Sequence, residues 1–185
     1  MRAVHQPIVL VLASGRGDRF VASGGTGSKL QALLAGVPVL QRTLAAVRAS
    51  GLPFHLEQAS HPGMGDSIAA AVRATPDAGG WLVLPGDLPL VRPESLRAVA
   101  AAVERHAVVV PHYRGRRGHP VGFAPVCRQA LLALAGELGA APIVRGYDAA
   151  GKAARLDLDD AGIVTDIDTV DDLARAEEQL RGSGD

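Results

Sequence analysis

Residues 8–17 read IVLVLASGRG, five apolar residues in a row followed by small residues and two glycines. A half-buried strand alternates apolar and polar positions. An unbroken apolar run marks a strand covered on both faces, the kind found in parallel sheets. The glycines can adopt positive φ and turn backbone N–H groups outward. The wider stretch LVLASGRGDRFVASGGTGSKL, residues 10–30, adds Arg16, Arg19 and Lys29 to this loop. Arginine suits bidentate phosphate oxygens, and lysine offers a compact charge. Two well-known phosphate turns are nonetheless excluded. A dinucleotide turn needs a third glycine where Phe20 stands, and a P-loop needs a hydroxyl after the lysine, where Leu30 stands. Alone, the loop reads either as another kind of phosphate cradle or as a mobile glycine loop with solvated charges.

Outward from this strand, helix and strand signals alternate. Leu40, Leu44 and Val47 form a helical face after Pro38, and Gly51 closes it. Residues 54–56 read as a weak strand, and a helix begins at Asp66 and Ser67 with Ile68 and Val72 one turn apart. Residues 81–84 are a second buried strand. A helix is expected over 93–106, strands over 107–111 and 121–124, and a helix over 125–135. Further strands are expected over 155–158 and 163–167. Thr169 and Asp172 form a capping-box pair before a last helix whose buried face carries Leu173, Ala176 and Leu180. Strands alternating with helices imply an α/β fold with a mostly parallel sheet. The expected organisation is one domain over 1–181 and a loose tail at 182–185.

Composition narrows the function classes. The 185 residues carry 19 Lys plus Arg against 19 Asp plus Glu, so no basic excess points to nucleic acid. Aromatic residues are 3%, too few for a base-stacking platform. Cys127 is the only cysteine, which excludes an internal disulfide framework and fits a reducing compartment. It reads as a core residue rather than a nucleophile. The early apolar run is too short to span a bilayer. The expectation is a cytoplasmic protein with no membrane partner.

Acidic residues fall at strand ends. WLVLPGDLPLV, residues 81–91, puts Asp87 just past the carboxyl end of a buried strand, the edge where open α/β sheets bind ligands. DIDTVDDL, residues 166–173, puts Asp166 and Asp168 at the end of the last expected strand. Asp171 and Asp172 are explained as acids of a first helical turn. Magnesium favours few carboxylates together with substrate phosphates and waters, and Asp87 with Asp168 matches that demand.

With these residues assembled, the chain resembles the MobA-like NTP transferase family, in particular the molybdenum cofactor cytidylyltransferases. LASGRGDRF with its following lysine is similar to the family's L-A-A-G-x-G-x-R-…-K signature. GMGDSI at 63–68 is similar to G-M-x-x-S-[IL], and LPGDLPLV to a strand ending in D-x-P. GRRGHPVGF and DIDTVDDL are similar to the G-H-P-V and D-I-D-T-x-x-D elements. The resemblance implies a Rossmann-like three-layer nucleotidyltransferase of the nucleotide-diphospho-sugar transferase type. It would move NMP from an NTP, CTP or GTP, to a phosphorylated small-molecule acceptor such as molybdopterin, with a molybdoenzyme as a further partner. By the same carry-over Ala13, Ser14, Gly15, Gly17 and Ser67 would hold base and ribose, and Arg19 and Lys29 the triphosphate. Asp87 would hold Mg2+, and Gly118, His119 and Pro120 would border the acceptor pocket. Such transfer needs positioning and charge neutralisation more than covalent chemistry.

The chain departs from the pattern in four places. Ser14 replaces an alanine, VASGGTGS lengthens the loop before Lys29, and only LPFHLEQASHP separates the first long helix from GMGDSI. One βα unit is therefore expected to be missing. Ala141 stands where an arginine could grip an acceptor phosphate. His119 reads equally as a binding residue or a structural turn histidine. Arg114, Arg116 and Arg117 read equally as contacts to an anionic acceptor or as a solvated hairpin. These departures also leave room for another phosphorylated acceptor, or for a nucleotide-binding accessory protein without turnover.

Overall fold

A computed structural model describes residues 5–15 and 17–182. Arg16, read above as a loop cation, and residues 183–185 of the expected tail lie outside the described residues. The first apolar run forms β1 (Ile8–Leu12), followed by a short α1 (Asp18–Ala22) and a two-stranded hairpin, β2 (Leu33–Leu34) and β3 (Val37–Pro38). Then come α2 (Val39–Ser50), β4 (Phe54–Glu57), α3 (Met64–Ala74), β5 (Trp81–Pro85) and α4 (Pro93–Val103). The second half contains β6 (Val108–Tyr113), β7 (Arg116–Arg117), β8 (Val121–Phe123), α5 (Arg128–Leu132), α6 (Ala141–Ala149), β9 (Ala153–Asp157) and α7 (Val170–Gly182).

The main sheet has seven strands. Strand β1 lies between β4 and β5, parallel to both, and β6 pairs parallel with β9. Strand β8 runs antiparallel between β5 and β6, and β7 extends the edge of β6. Side chains of β1 alternate between two apolar layers. Val9 and Val11 face a core shared with α2, α4 and α7, while Leu10 and Leu12 face one shared with α3, α5 and α6. All four are buried, which is why the run contains no polar position. The result is a mixed α/β three-layer fold with a mostly parallel sheet. Only β4 lies between α2 and α3, so that interval holds one strand and no further helix. Among the described residues no helix is long and apolar enough to cross a membrane.

Three expectations are corrected. Residues 163–167 form no strand; Ala161–Val164 is a 3₁₀ turn. Asp160 fixes it, accepting from Gly162 N at 2.8 Å, Ser95 Oγ at 2.6 Å and Arg92 N at 3.0 Å. The burial of Ile163, Val164 and Ile167, which mimics a strand in sequence, is achieved by the turn. The helix expected over 125–135 is a 3₁₀ turn, Pro125–Cys127, leading into the five residues of α5. Helix α6 was not anticipated, because Pro142 and Gly146 break its helical signal. Gly182, assigned to the loose tail, closes α7. That helix starts with the anticipated reciprocal cap: Asp172 Oδ2 accepts from Thr169 N at 2.8 Å, and Thr169 Oγ1 from Asp172 N at 3.2 Å.

Candidate active site

The carboxyl ends of β1, β4 and β5 open onto a cavity of about 790 Å³. Its position follows from the fold, since loops leaving parallel strands diverge at that edge. Three segments distant in sequence converge there.

The first is the glycine loop. Gly17 takes φ 69° as the cap of α1, and the chain then folds back over Phe20, which is buried. Gly25 packs so tightly on that ring that an added Cβ would lie 2.3 Å from it. Ser28 Oγ accepts from Leu30 N and starts a 3₁₀ turn, Lys29–Gln31, with Leu30 buried as its anchor. The lengthened loop is thus folded on its own small core, and Lys29 is aimed into the cavity. The second segment is the β5 end, carrying Asp87. The third follows the 3₁₀ turn, where Ile167 N donates to Asp87 O at 3.0 Å and brings Asp168 alongside.

Lys29 Nζ joins them, 2.6 Å from Asp87 Oδ2 and 2.8 Å from Asp168 Oδ1. Burial pushes the ammonium pKa down, but the two carboxylates more than offset this and hold it above the ordinary lysine value. Arg19 Nη1 reaches Asp168 Oδ2 at 2.8 Å from a largely exposed position. Asp166 also lines the cavity, and burial together with its acidic neighbours Asp168 and Asp87 raises its pKa. Asp87 Oδ1 is sealed from solvent without a hydrogen-bond partner. A cation already sits between two carboxylates here, and one carboxylate oxygen remains free, so Asp87 and Asp168 fit a divalent ion. Among the described residues no group of three or more His, Cys, Asp and Glu is arranged for a metal. Phosphate and water would have to complete the shell, as magnesium prefers.

The remaining anticipated residues divide. Ser14, Gly15, Gly17, Ser67 and His119 line the cavity, and Ser14 Oγ lies 2.8 Å from Ser67 Oγ. Ala13 lies behind it, its N–H donating to Glu57 O at 2.8 Å. Gly118 and Pro120 also stand behind the lining. Gly118 packs against Ile163, where an added Cβ would come within 2.5 Å of its carbonyl oxygen. Burial pushes the His119 imidazole pKa down, against the pull of Asp87, the Val83 carbonyl and Asp166, and its Nδ1 is buried without a partner. Arg116 and Arg117 lie on the cavity wall, with Arg117 also paired to Asp148. Arg114 is exposed on the turn, over the Tyr113 ring. Ala141 opens α6 and is not on the lining. Sequence reasoning missed His61 and Glu57, described below, and used Asp166 only as a neighbour of Asp168.

Residues 44–156 match the profile of the MobA-like NTP transferase domain. The bifunctional protein GlmU of Xanthomonas campestris is 34% identical over 145 residues, which is 78% of this chain and 27% of that protein. The chain therefore spans about a quarter of that relative's length. Rv0371c from Mycobacterium tuberculosis superposes with a TM-score of 0.78 at 24% identity, over 95% of this chain and 99% of that one. It has also been crystallised with manganese. Molybdopterin-guanine dinucleotide biosynthesis protein A from Archaeoglobus fulgidus gives a TM-score of 0.62 at 19% identity, over 95% of this chain and 99% of that one. These two structures share the fold, while the profile match covers more than half of the sequence, Asp87 included. The chain belongs to the MobA-like NTP transferase family and is a nucleotidyltransferase.

Proposed function

We propose that the chain transfers NMP from an NTP, CTP before GTP, to a phosphorylated small molecule, molybdopterin before others, and releases pyrophosphate. The carrying observation is the convergence of Arg19, Lys29, Asp87 and Asp168 in one strand-end cavity. Arg19 and Lys29 bind the triphosphate and oppose its charge. Asp87 and Asp168 hold Mg2+, which when bound neutralises charge on the phosphates. Ser14, Ser67 and the backbone at Gly15 and Gly17 position base and ribose. Arg116, Arg117 and His119 face the acceptor. An acceptor phosphate oxygen attacks the α-phosphorus in line, and the bond from that phosphorus to the bridging oxygen of pyrophosphate breaks. No side chain need remove a proton, because a phosphate monoester is already largely ionised near neutral pH. The reaction would run in the cytoplasm, with a molybdoenzyme as final recipient of the product.

A second pairing is favoured by two observations. The Archaeoglobus neighbour is named for a guanine dinucleotide, which favours GTP. Ala141 offers no charge to a large acceptor, which favours a smaller phosphorylated metabolite. Pyrophosphate release, measured with each NTP, Mg2+ and each candidate acceptor, separates them. Release with CTP and molybdopterin supports the first pairing, release with another pair supports the second, and no release with any overturns both. Asp87→Ala should lower turnover at least ~100-fold with an unchanged far-UV spectrum, as loss of one charge-stabilising element does. Wild-type turnover would remove Asp87 from the metal site.

A further inference from the structure

The cavity has two chemically different ends. At one, the ion-paired Lys29, Asp87, Asp168 and Arg19 concentrate charge. At the other, the lead-in to α3 passes the linked hydroxyls of Ser14 and Ser67 and presents His61, Pro62 and Met64. The charges near that rim are all acidic: the exposed Glu137 beside the Gly136 backbone that packs on Gly63, Asp66, which accepts from Gly136 N at 2.9 Å, and Glu57 behind His61. A nucleotide is a polyanion joined to a flat heteroaromatic ring. With its phosphates at the cations, its base falls at the end away from them, as amphipathic ligands distribute in such pockets.

One ring there faces a carboxylate. His61 Nε2 is buried 3.2 Å from Glu57 Oε1, an ion-pair contact, and has no aligned hydrogen-bond partner among the described residues. Glu57 is buried at the end of β4 and accepts from Ala59 N at 3.0 Å, with His55 Nε2 3.4 Å from its other oxygen. Burial pushes this carboxyl up, but bonds from His61, Ala59 and His55 outweigh that and keep it below the ordinary glutamate value. An ionised carboxylate only accepts, so the imidazole tautomer that suits Glu57 carries its proton on Nε2 and presents Nδ1 as an acceptor. The ring lines the cavity, and Nδ1 is the polar atom it has left to offer.

Building on the proposed transfer reaction, we infer that the Glu57–His61 pair reads the donor's base and selects one presenting an exocyclic amino group, cytosine over uracil. The cytosine amino group donates to Nδ1. The uracil carbonyl at the same position sets one lone pair against another and leaves both unmatched, which is the costly case for a partly buried group.

The test is equilibrium binding of CTP, UTP and the triphosphate of pyrimidin-2-one, which lacks the 4-substituent, in Mg2+. Wild-type protein should bind CTP about tenfold more tightly than UTP, with the pyrimidinone between them. His61→Ala, checked for an unchanged melting temperature, should bring CTP and UTP within about twofold of each other. The pyrimidinone series uses the wild-type protein alone and so does not depend on that variant folding. Equal binding of CTP and UTP to wild type, or an unchanged ratio in His61→Ala, overturns base reading even if pyrophosphate is released. Failure of every triphosphate to bind overturns base reading and the proposed reaction together.

Discussion

At the scale of single residues, Glu57 has a role that pH can isolate. Its folded pKa lies below the ordinary 4.5, so the ionised carboxylate adds stability that is present above that value. This contribution is lost as pH falls through the lower, folded value. Glu57→Gln keeps the size and removes the charge. It should cost about 1 kcal/mol at neutral pH, and the gap to wild type should close as pH drops below 4.5. Urea unfolding at several pH values measures this, and a gap that ignores pH would assign the effect to packing. The site's residues were unequally legible. Asp87 follows from a rule about strand ends, and the rule applies equally to Glu57 at the end of β4, where a weak strand signal hid it. Asp168 lies beside Asp87, but not through the element expected. The strand expected over 163–167 is a turn, but the bond from Ile167 N to Asp87 O brings Asp168 to the same point.

At the scale of elements, two glycines show what separates readable from unreadable structure. Gly63 starts α3 where an added Cβ would meet the Gly136 backbone at 2.4 Å, and backbone cannot swing aside as a side chain can. Gly63→Ala should cost about 1–3 kcal/mol, the range for overpacking. It should also weaken nucleotide binding in fully folded protein, because Ser67 and the His61 lead-in move with the helix. Calorimetric titration with CTP measures the second effect. Unchanged affinity would mean the loop at Gly136 yields while α3 stays in place. Gly146 is the opposite case. It lies within α6 at an ordinary helical φ, with nothing within 4 Å of an added Cβ. Gly146→Ala should stabilise by about 0.5–1 kcal/mol in denaturant unfolding. The residue that hid α6 from its periodicity is one that the helix tolerates rather than needs. Helix α7, by contrast, was readable because its cap and buried face fall together within residues 169–180. Local signals were legible; contacts such as Gly63 on Gly136, which join distant segments, were not.

At the scale of the molecule, Lys29 ties the fold to the site. Its bonds to Asp87 and Asp168 cross 58 and 139 residues of sequence, closing three loops over the sheet edge. The side chains of these three residues are only 12%, 14% and 18% exposed, so the interaction is weakly screened. Lys29→Met keeps much of the aliphatic stem and removes the charge. Asp87 then loses the ammonium and Asp168 keeps only the exposed Arg19 as counter-ion, and the metal-free variant should lose about 2–3 kcal/mol, somewhat less than a fully buried pair would. A divalent ion should change the comparison. In wild type the ammonium and the ion compete for the same carboxylate oxygens, whereas in Lys29→Met the ion meets only the exposed Arg19 at Asp168. An ion that binds the native state raises the melting temperature according to its affinity. Addition of Mg2+ or Mn2+ without nucleotide should therefore raise the melting temperature of Lys29→Met more than that of wild type. Asp87→Asn in the same background should abolish the difference. Equal shifts in wild type and Lys29→Met would mean that the ion does not use Asp87 and Asp168, and that Lys29 serves the architecture alone.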